Sequence, residues 1–369
     1  MKFKYTNKLF SKKPYVNNTN EFFIKAMREN AIFQYENCSD YQRICDKASF
    51  NPYEIKNDKD IENLPIIPTA YLKTHQMISK NRALITATSS GTSGKKSVIK
   101  FDFPSLWRGL KMVIKVCQFH KLLSIKRTNY ILFSYKPHKA NNTAITKTAT
   151  GSTLFAPSES KTYALTFVKG EYKLDLNKLK EKLIVLSKKK KRIRTIGFPA
   201  YTYFLLRMMK EEGIFLKFRK GSKVTIGGGW KQFYADEVNK EDFYKLVKEV
   251  LDIDECNIVE YFSAVEHPVL YTDCPNHHFH VPVYSKVIIR NPHDFKPVKN
   301  GEIGLLNLLT PMLANVPILS IMTDDLAILH EECTCGIKRP WVEIIGRVGL
   351  TDIKTCAAGA EELLKGENK

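Results

Sequence analysis

Between Arg192 and Phe262 the sequence switches repeatedly between a strand-like and a helical period, and that alternation restricts the fold more than any other feature. "RIRTIGF" is an apolar strand, and "AYTYFLLRMMKEEG" is a mostly buried helix closed by Gly213. "SKVTIGGGW" is a second strand ending in glycines. Phe243, Leu246, Val247, Val250 and Leu251 then fall at i, i+3, i+4, i+7 and i+8, the apolar stripe of a helix. "NIVEYF" is a third strand. Strands separated by helices of this length pair in parallel, because a crossover is needed to return the chain to the same edge. The expected class is α/β, with ligands gathering at the carboxyl ends of the strands. Gly227, Gly228 and Gly229 sit at one such end, and Glu266 lies just beyond another.

The flanks add a second texture. "NEFFIKAMRENAIFQYENCSDYQRICDKA" reads as one or two helices, and Pro65 and Pro68 force "IENLPIIPTAYLKTH" into extended or turn conformation. Three β-rich runs, "VPVYSKVIIRNP", "GEIGLLNLL" and "VPILSIMTDDLAIL", are separated by the turn signals Asn291-Pro292 and Asn300-Gly301. A chain of 369 residues corresponds to about two domains, or to one large α/β domain with insertions.

The charge of +20 invites a polyanion partner. The lysines are scattered, however, and the one dense block, "KKKKRIR" from Lys188 to Arg194, reads as a solvated loop face, which argues against nucleic acid. The expected surroundings are the cytoplasm. No run of about 18 apolar residues offers a membrane span, and "MKFKYTNKLFSKKPY" has no apolar core of a signal peptide. Eight cysteines are too sparse for a disulfide framework. Cys38, Cys45, Cys117 and Cys256 read as reduced packing residues, whereas Cys274, Cys333, Cys335 and Cys356 fall toward the end of the chain, where histidines also cluster.

One stretch speaks of phosphate. "ATSSGTSGKKS", Ala87 to Ser97, follows a strand-like lead and combines a flexible backbone rich in N–H donors with hydroxyls and lysines. It is not a Walker loop: that loop places four residues between its glycines, and Gly91 and Gly94 enclose only Thr92 and Ser93.

In register with further motifs, the loop resembles the phosphate-binding signature of the adenylate-forming, acyl- and aryl-activating enzymes. "GGGWK", Gly227 to Lys231, stands where that superfamily's backbone packs on adenine. "FSAVE" resembles the motif whose glutamate, here Glu266, binds the magnesium of Mg-ATP; Ser263 and Val265 depart from its usual glycine and threonine. "TDDL" resembles the segment whose aspartate, here Asp325, holds the ribose hydroxyls, and "IIGR" supplies Arg347 near the hinge, although "VGLTD" after it lacks the usual acidic residue.

Within the superfamily the chain is most similar to the LuxE-type acyl-protein synthetases, near the phenylacetate-CoA ligase branch, over roughly residues 60 to 356. The resemblance implies an adenylate-forming large-domain fold, with parallel sheets flanked by helices and a β-rich subdomain about 265–345, lacking most of the usual C-terminal lid. Residues 1–350 would form the main domain and 351–369 a short tail carrying Cys356, the thiol that accepts the acyl group. An acyl reductase partner is likewise implied by resemblance.

The chemistry suits those residues. A carboxylate is a poor electrophile, and attack on the α-phosphate of ATP converts it to an acyl-adenylate; the protein has to neutralise phosphate charge rather than supply a nucleophile. Loop amides with Ser89, Ser90, Gly91, Thr92, Ser93 and Gly94, together with Lys95 or Lys96 and with magnesium on Glu266, would do so, while Gly228, Gly229, Trp230, Lys231 and Asp325 would hold the nucleoside. A thiolate then expels AMP. The alternatives are an acyl- or aryl-CoA ligase using a free thiol, and a non-catalytic nucleotide- or nucleic-acid-binding protein. His267, next to Glu266, is placed to reach an acyl carboxylate or simply to end a strand. Finally, Cys274 with "NHHFH" and Cys333-Thr334-Cys335-Gly336 could supply a tetrahedral structural zinc site, with resemblance to the phenylacetate-ligase branch favouring His280 over His277 and His278.

Overall fold

The computed structural model describes residues 3–79, 83–89, 97–139, 141, 144–230, 233 and 236–347. Its contacts divide the chain into a middle unit, Cys117–Phe262, and a unit built from both ends, Met1–Val116 with Ser263–Lys369. The β-rich stretch about 265–345 falls in the two-ended unit, and the tail 351–369 lies outside the described residues.

The middle unit follows its sequence period closely. Its strands run in the order Ile258–Phe262, Lys223–Gly227, Ile193–Gly197, Thr128–Tyr135, Ser158–Val168 and Glu171–Leu174. The first five pair in parallel, and the last turns back antiparallel. Helices Leu176–Lys188, Pro199–Glu211 and Lys240–Leu251 supply one packed layer around Leu179, Leu183, Leu205, Leu206, Val247 and Val250. Their ends are chemically marked. Asp175 accepts from the Lys178 amide at 2.9 Å, Asn239 from the Asp242 amide at 2.8 Å, and Asp252 closes the last helix in the left-handed region at φ 48.

Two expectations change here. Lys188, Lys189 and Lys190 are exposed, but the basic run then enters a central strand, so Arg194 is only 4% exposed rather than part of a solvated face. Cys256 is exposed, because it sits in the one-turn helix Glu255–Asn257 that precedes a strand, not in a packed layer.

The two-ended unit carries a six-stranded sheet. Phe279–His280, Trp341–Arg347, Ser320–His330, Ile303–Leu309 and Lys286–Arg290 form an antiparallel run, and Ile67–Pro68 joins in parallel beside Ile321 and Met322. Its helix Asn20–Asn37 is stitched to a distant loop by polar side chains. Buried Asn30 donates to the carbonyls of Pro311 and Leu313, both at 2.7 Å. Arg290 donates to the Glu62 carbonyl at 2.7 Å, and Lys286 pairs with Asp58 at 2.7 Å.

Candidate active site and metal cluster

In the two-ended unit the strands Ile85–Thr88 and Val98–Phe101 form an antiparallel hairpin whose register is Thr88 opposite Val98. The hairpin is the frame of the expected phosphate loop. Ser89 closes it with two contacts: its amide donates to the Ser97 carbonyl at 3.1 Å, and its Oγ accepts from the Ser97 amide at 3.0 Å. Ser90, Gly91, Thr92, Ser93, Gly94 and Lys95 lie outside the described residues, as do Lys231 and Cys356.

The carboxyl edge of the middle sheet is kept bare by glycine. A Cβ on Gly197 would lie 2.2 Å from the Phe133 carbonyl oxygen, and one on Gly227 would lie 2.9 Å from that of Tyr261. Glycine at these two positions is what lets the neighbouring parallel strands approach so closely. Gly228 and Gly229 continue with φ of 88 and 67, and the Trp230 ring turns into the core, 5.5 Å from the Tyr203 ring.

Glu266 lies near the start of the two-ended unit's second segment and is 6% exposed. Beside it His267 is fully buried. Its Nε2 lies 3.0 Å from Ser285 Oγ and 3.2 Å from Tyr271 Oη, and those two hydroxyls lie 2.6 Å apart. Burial holds the imidazole neutral, lowering its pKa to about 3. His267 Nδ1 has no partner among the described residues. Asp325 is half-buried on the long strand, its amide donating to Thr323 Oγ1 at 3.2 Å, and its backbone stands opposite Arg347 on the adjacent strand.

The cysteines and histidine named as metal ligands meet. The ligand atoms of Cys274, His280, Cys333 and Cys335 all lie within 4.8 Å of one another. Cys274 Sγ is 3.9 Å from Cys333 Sγ, close to the edge of a tetrahedron with metal–sulfur bonds of about 2.3 Å. The second layer fits too. His280 Nδ1 donates to the Arg339 carbonyl at 2.7 Å, which turns the Nε2 lone pair toward Cys335 Sγ, 3.2 Å away. Cys274 Sγ accepts from the Asn276 amide at 3.3 Å and Cys335 Sγ from the Ile337 amide at 3.4 Å. Burial raises both thiol pKa values, so a bound cation is what would keep these sulfurs ionised. Sequence reasoning missed Arg339, Asn276 and Ile337, which act through backbone groups that every residue carries. It also passed over His278, whose Nδ1 lies 3.2 Å from Cys333 Sγ while its ring stacks on Trp341 at 3.7 Å.

With this geometry established, comparison with known proteins is informative. The family described as acyl-protein synthetase, LuxE, matches residues 7–365. The chain belongs to the LuxE acyl-protein synthetase family. It is an acid–thiol ligase that activates a carboxylate with ATP.

Among relatives, a long-chain-fatty-acid–luciferin-component ligase of Aliivibrio fischeri is 29% identical, across 92% of this chain and 88% of its own. One of the same name from Vibrio harveyi is 24% identical, across 91% of this chain and 86% of its own. Among solved structures, 2-hydroxyisobutyryl-CoA ligase in complex with 2-HIB-AMP superimposes with a TM-score of 0.66 at 14% identity, over 92% of this chain and 70% of that one. An open conformation of the same ligase gives 0.63 at 15% identity, over 90% of this chain and 76% of that one. The fold is therefore that of the adenylate-forming ligases.

Proposed function

We propose that this acyl-protein synthetase takes a long-chain fatty acid as its carboxylate and delivers the acyl group to its own Cys356 as a thioester. The observation that carries the reading is the family match over residues 7–365, joined by relatives whose names state a long-chain fatty acid. A carboxylate oxygen attacks the α-phosphorus of ATP, forming the mixed anhydride and releasing pyrophosphate. The Cys356 thiolate, its proton lost to solvent, then attacks the acyl carbon and AMP leaves.

In this reading the loop Ser89–Gly94 and Lys95 cradle the phosphates at the mouth of the hairpin. Gly228, Gly229, Trp230 and Lys231 are assigned to adenine, Asp325 to the ribose, and Arg347 is the arginine near the hinge. Magnesium on Glu266 would neutralise charge building on the departing pyrophosphate. The cluster of Cys274, His280, Cys333 and Cys335 holds a structural zinc ion, consistent with a sulfur-rich set lacking an open position. An acyl reductase is the proposed consumer of the thioester, and the cytoplasm, which keeps thiols reduced, is the proposed compartment. No helix among the described residues is long and apolar enough to cross a membrane.

Acid-dependent exchange of labelled pyrophosphate into ATP tests the first half. Exchange with long-chain acids and not with short or aromatic ones is expected, and Lys95→Ala with Glu266→Gln should lower it by about a hundredfold or more. Exchange with aromatic acids alone would overturn the fatty-acid assignment. AMP release that requires coenzyme A and survives Cys356→Ala would make the acceptor external.

A further inference from the structure

The helix Phe103–Phe119 carries apolar residues on its outer face as well as its inner one, unlike an ordinary surface helix. Its inner face holds Ser105, Arg108 and Met112, with the Arg108 side chain 1% exposed. Its outer face carries Phe103 at 64%, Trp107 at 49% and Leu110 at 44% exposure, spaced i, i+4, i+7. The two aromatic rings are parallel, 6.5 Å apart, and Lys111 Nζ stands 5.6 Å from the Trp107 ring. Leu84, 64% exposed, and Ile85, 41% exposed, extend the apolar surface, since the Leu84 amide donates to the Phe101 carbonyl at 2.8 Å, two residues from Phe103. An apolar stripe of this kind, built around tryptophan, marks a docking surface.

The charge of this region says what docks. Within the two-ended unit Asp102 is the only acidic residue from Asn63 to Val116, a stretch that holds nine lysines and arginines, of which Arg108 is buried. Asp102 itself is engaged in capping, accepting from the Ser105 amide at 3.0 Å. The imbalance lies in missing acids rather than in a dense lysine run.

We propose that the outer face of helix Phe103–Phe119, with Leu84 and Ile85, rests on an anionic lipid surface. Apolar side chains that enter the headgroup layer, an aromatic ring at its boundary and a basic segment poor in acids are what peripheral binding to anionic lipid requires. The choice of lipid over an acidic protein rests on the fatty-acid reading above: a long-chain acid partitions into bilayers, so the surface would bring the synthetase to its substrate.

Flotation of the full chain with vesicles tests it. The chain should bind vesicles containing phosphatidylglycerol, bind pure phosphatidylcholine vesicles much less, and show a blue shift of tryptophan emission on binding. Trp107→Glu with Leu110→Glu should weaken binding about tenfold or more. Lys111→Glu with Lys115→Glu should abolish the preference for the anionic vesicles. Pyrophosphate exchange with albumin-presented acid should be unchanged in both variants, showing that they fold.

Three outcomes overturn the proposal: no binding to either vesicle by a chain active in exchange; equal binding by the Trp107→Glu, Leu110→Glu variant; or self-association in sedimentation that this variant abolishes. Vesicle binding by a chain inactive in exchange with every acid would sustain the surface and remove the fatty-acid reading.

Discussion

The two units reach stability by different routes. In Cys117–Phe262 the strands Thr128–Tyr135, Glu171–Leu174, Ile193–Gly197 and Lys223–Gly227 are each followed by a helix, and the core is aliphatic and aromatic. In the two-ended unit, partners come from opposite ends of the chain, and buried polar side chains join them. Asn30 reaches Pro311 and Leu313, and Arg108 donates to Asn7 Oδ1 at 3.0 Å and to the Met312 carbonyl at 2.8 Å. Burial pulls the Arg108 pKa down to about 10, a sign of how completely that cation is desolvated. The difference is one of contact order. A locally wound unit is held by many interchangeable apolar contacts, whereas a unit closed across hundreds of residues depends on a few specific ones.

That contrast can be broken by substitution, read as amide hydrogen exchange resolved to each unit. The largest effect is expected from the metal. Chelation of the cluster at Cys274, His280, Cys333 and Cys335 should release about one zinc ion per chain and cost roughly 5 kcal/mol or more, felt first in the two-ended unit. A chain that purifies without zinc and is indifferent to chelator would remove this part of the comparison.

Next is Arg108→Ala, expected to cost about 3–5 kcal/mol in the two-ended unit, because it strands two acceptors and empties the space beside Phe3. Equal loss of protection in both units would mean that they melt as one. Leu205→Ala, at a fully buried position, should cost about 2–4 kcal/mol and act first on the middle unit. The smallest effect is expected for Asp252→Gly. Left-handed backbone favours glycine there, and the exposed pairs with Lys248 and Lys217 are worth little, so a change within about 0.5 kcal/mol is expected in urea titration.

Legibility from sequence divides along the same line. The helix Lys240–Leu251 and the strands around it were readable because period, caps and glycine stops all lie within a few residues of one another. Arg194 follows the strand reading of "RIRTIGF" rather than the solvated-face reading of the basic run, and Cys256 was misread because an apolar neighbourhood describes composition rather than burial. In the two-ended unit the elements were legible but their tethers were not. Nothing in "RENAIFQ" reveals that Asn30 faces the carbonyls of a loop nearly three hundred residues away. The Cys–His cluster was visible because thiols and imidazoles at short spacing carry their own chemical signature, while the Arg339 carbonyl that orients His280 does not. The roles assigned to Lys95 and Cys356 still rest on the family pattern and the chemistry of acyl transfer.

The most direct test of that chemistry is to incubate the full chain with ATP, magnesium and a radiolabelled long-chain fatty acid, and to compare wild type with Cys356→Ala on denaturing gels with and without hydroxylamine. The account predicts a covalent label that hydroxylamine releases and that the variant does not acquire, while pyrophosphate exchange persists in both. A label of equal strength on the Cys356→Ala chain, or exchange without any label on the wild type, would contradict self-acylation at this thiol.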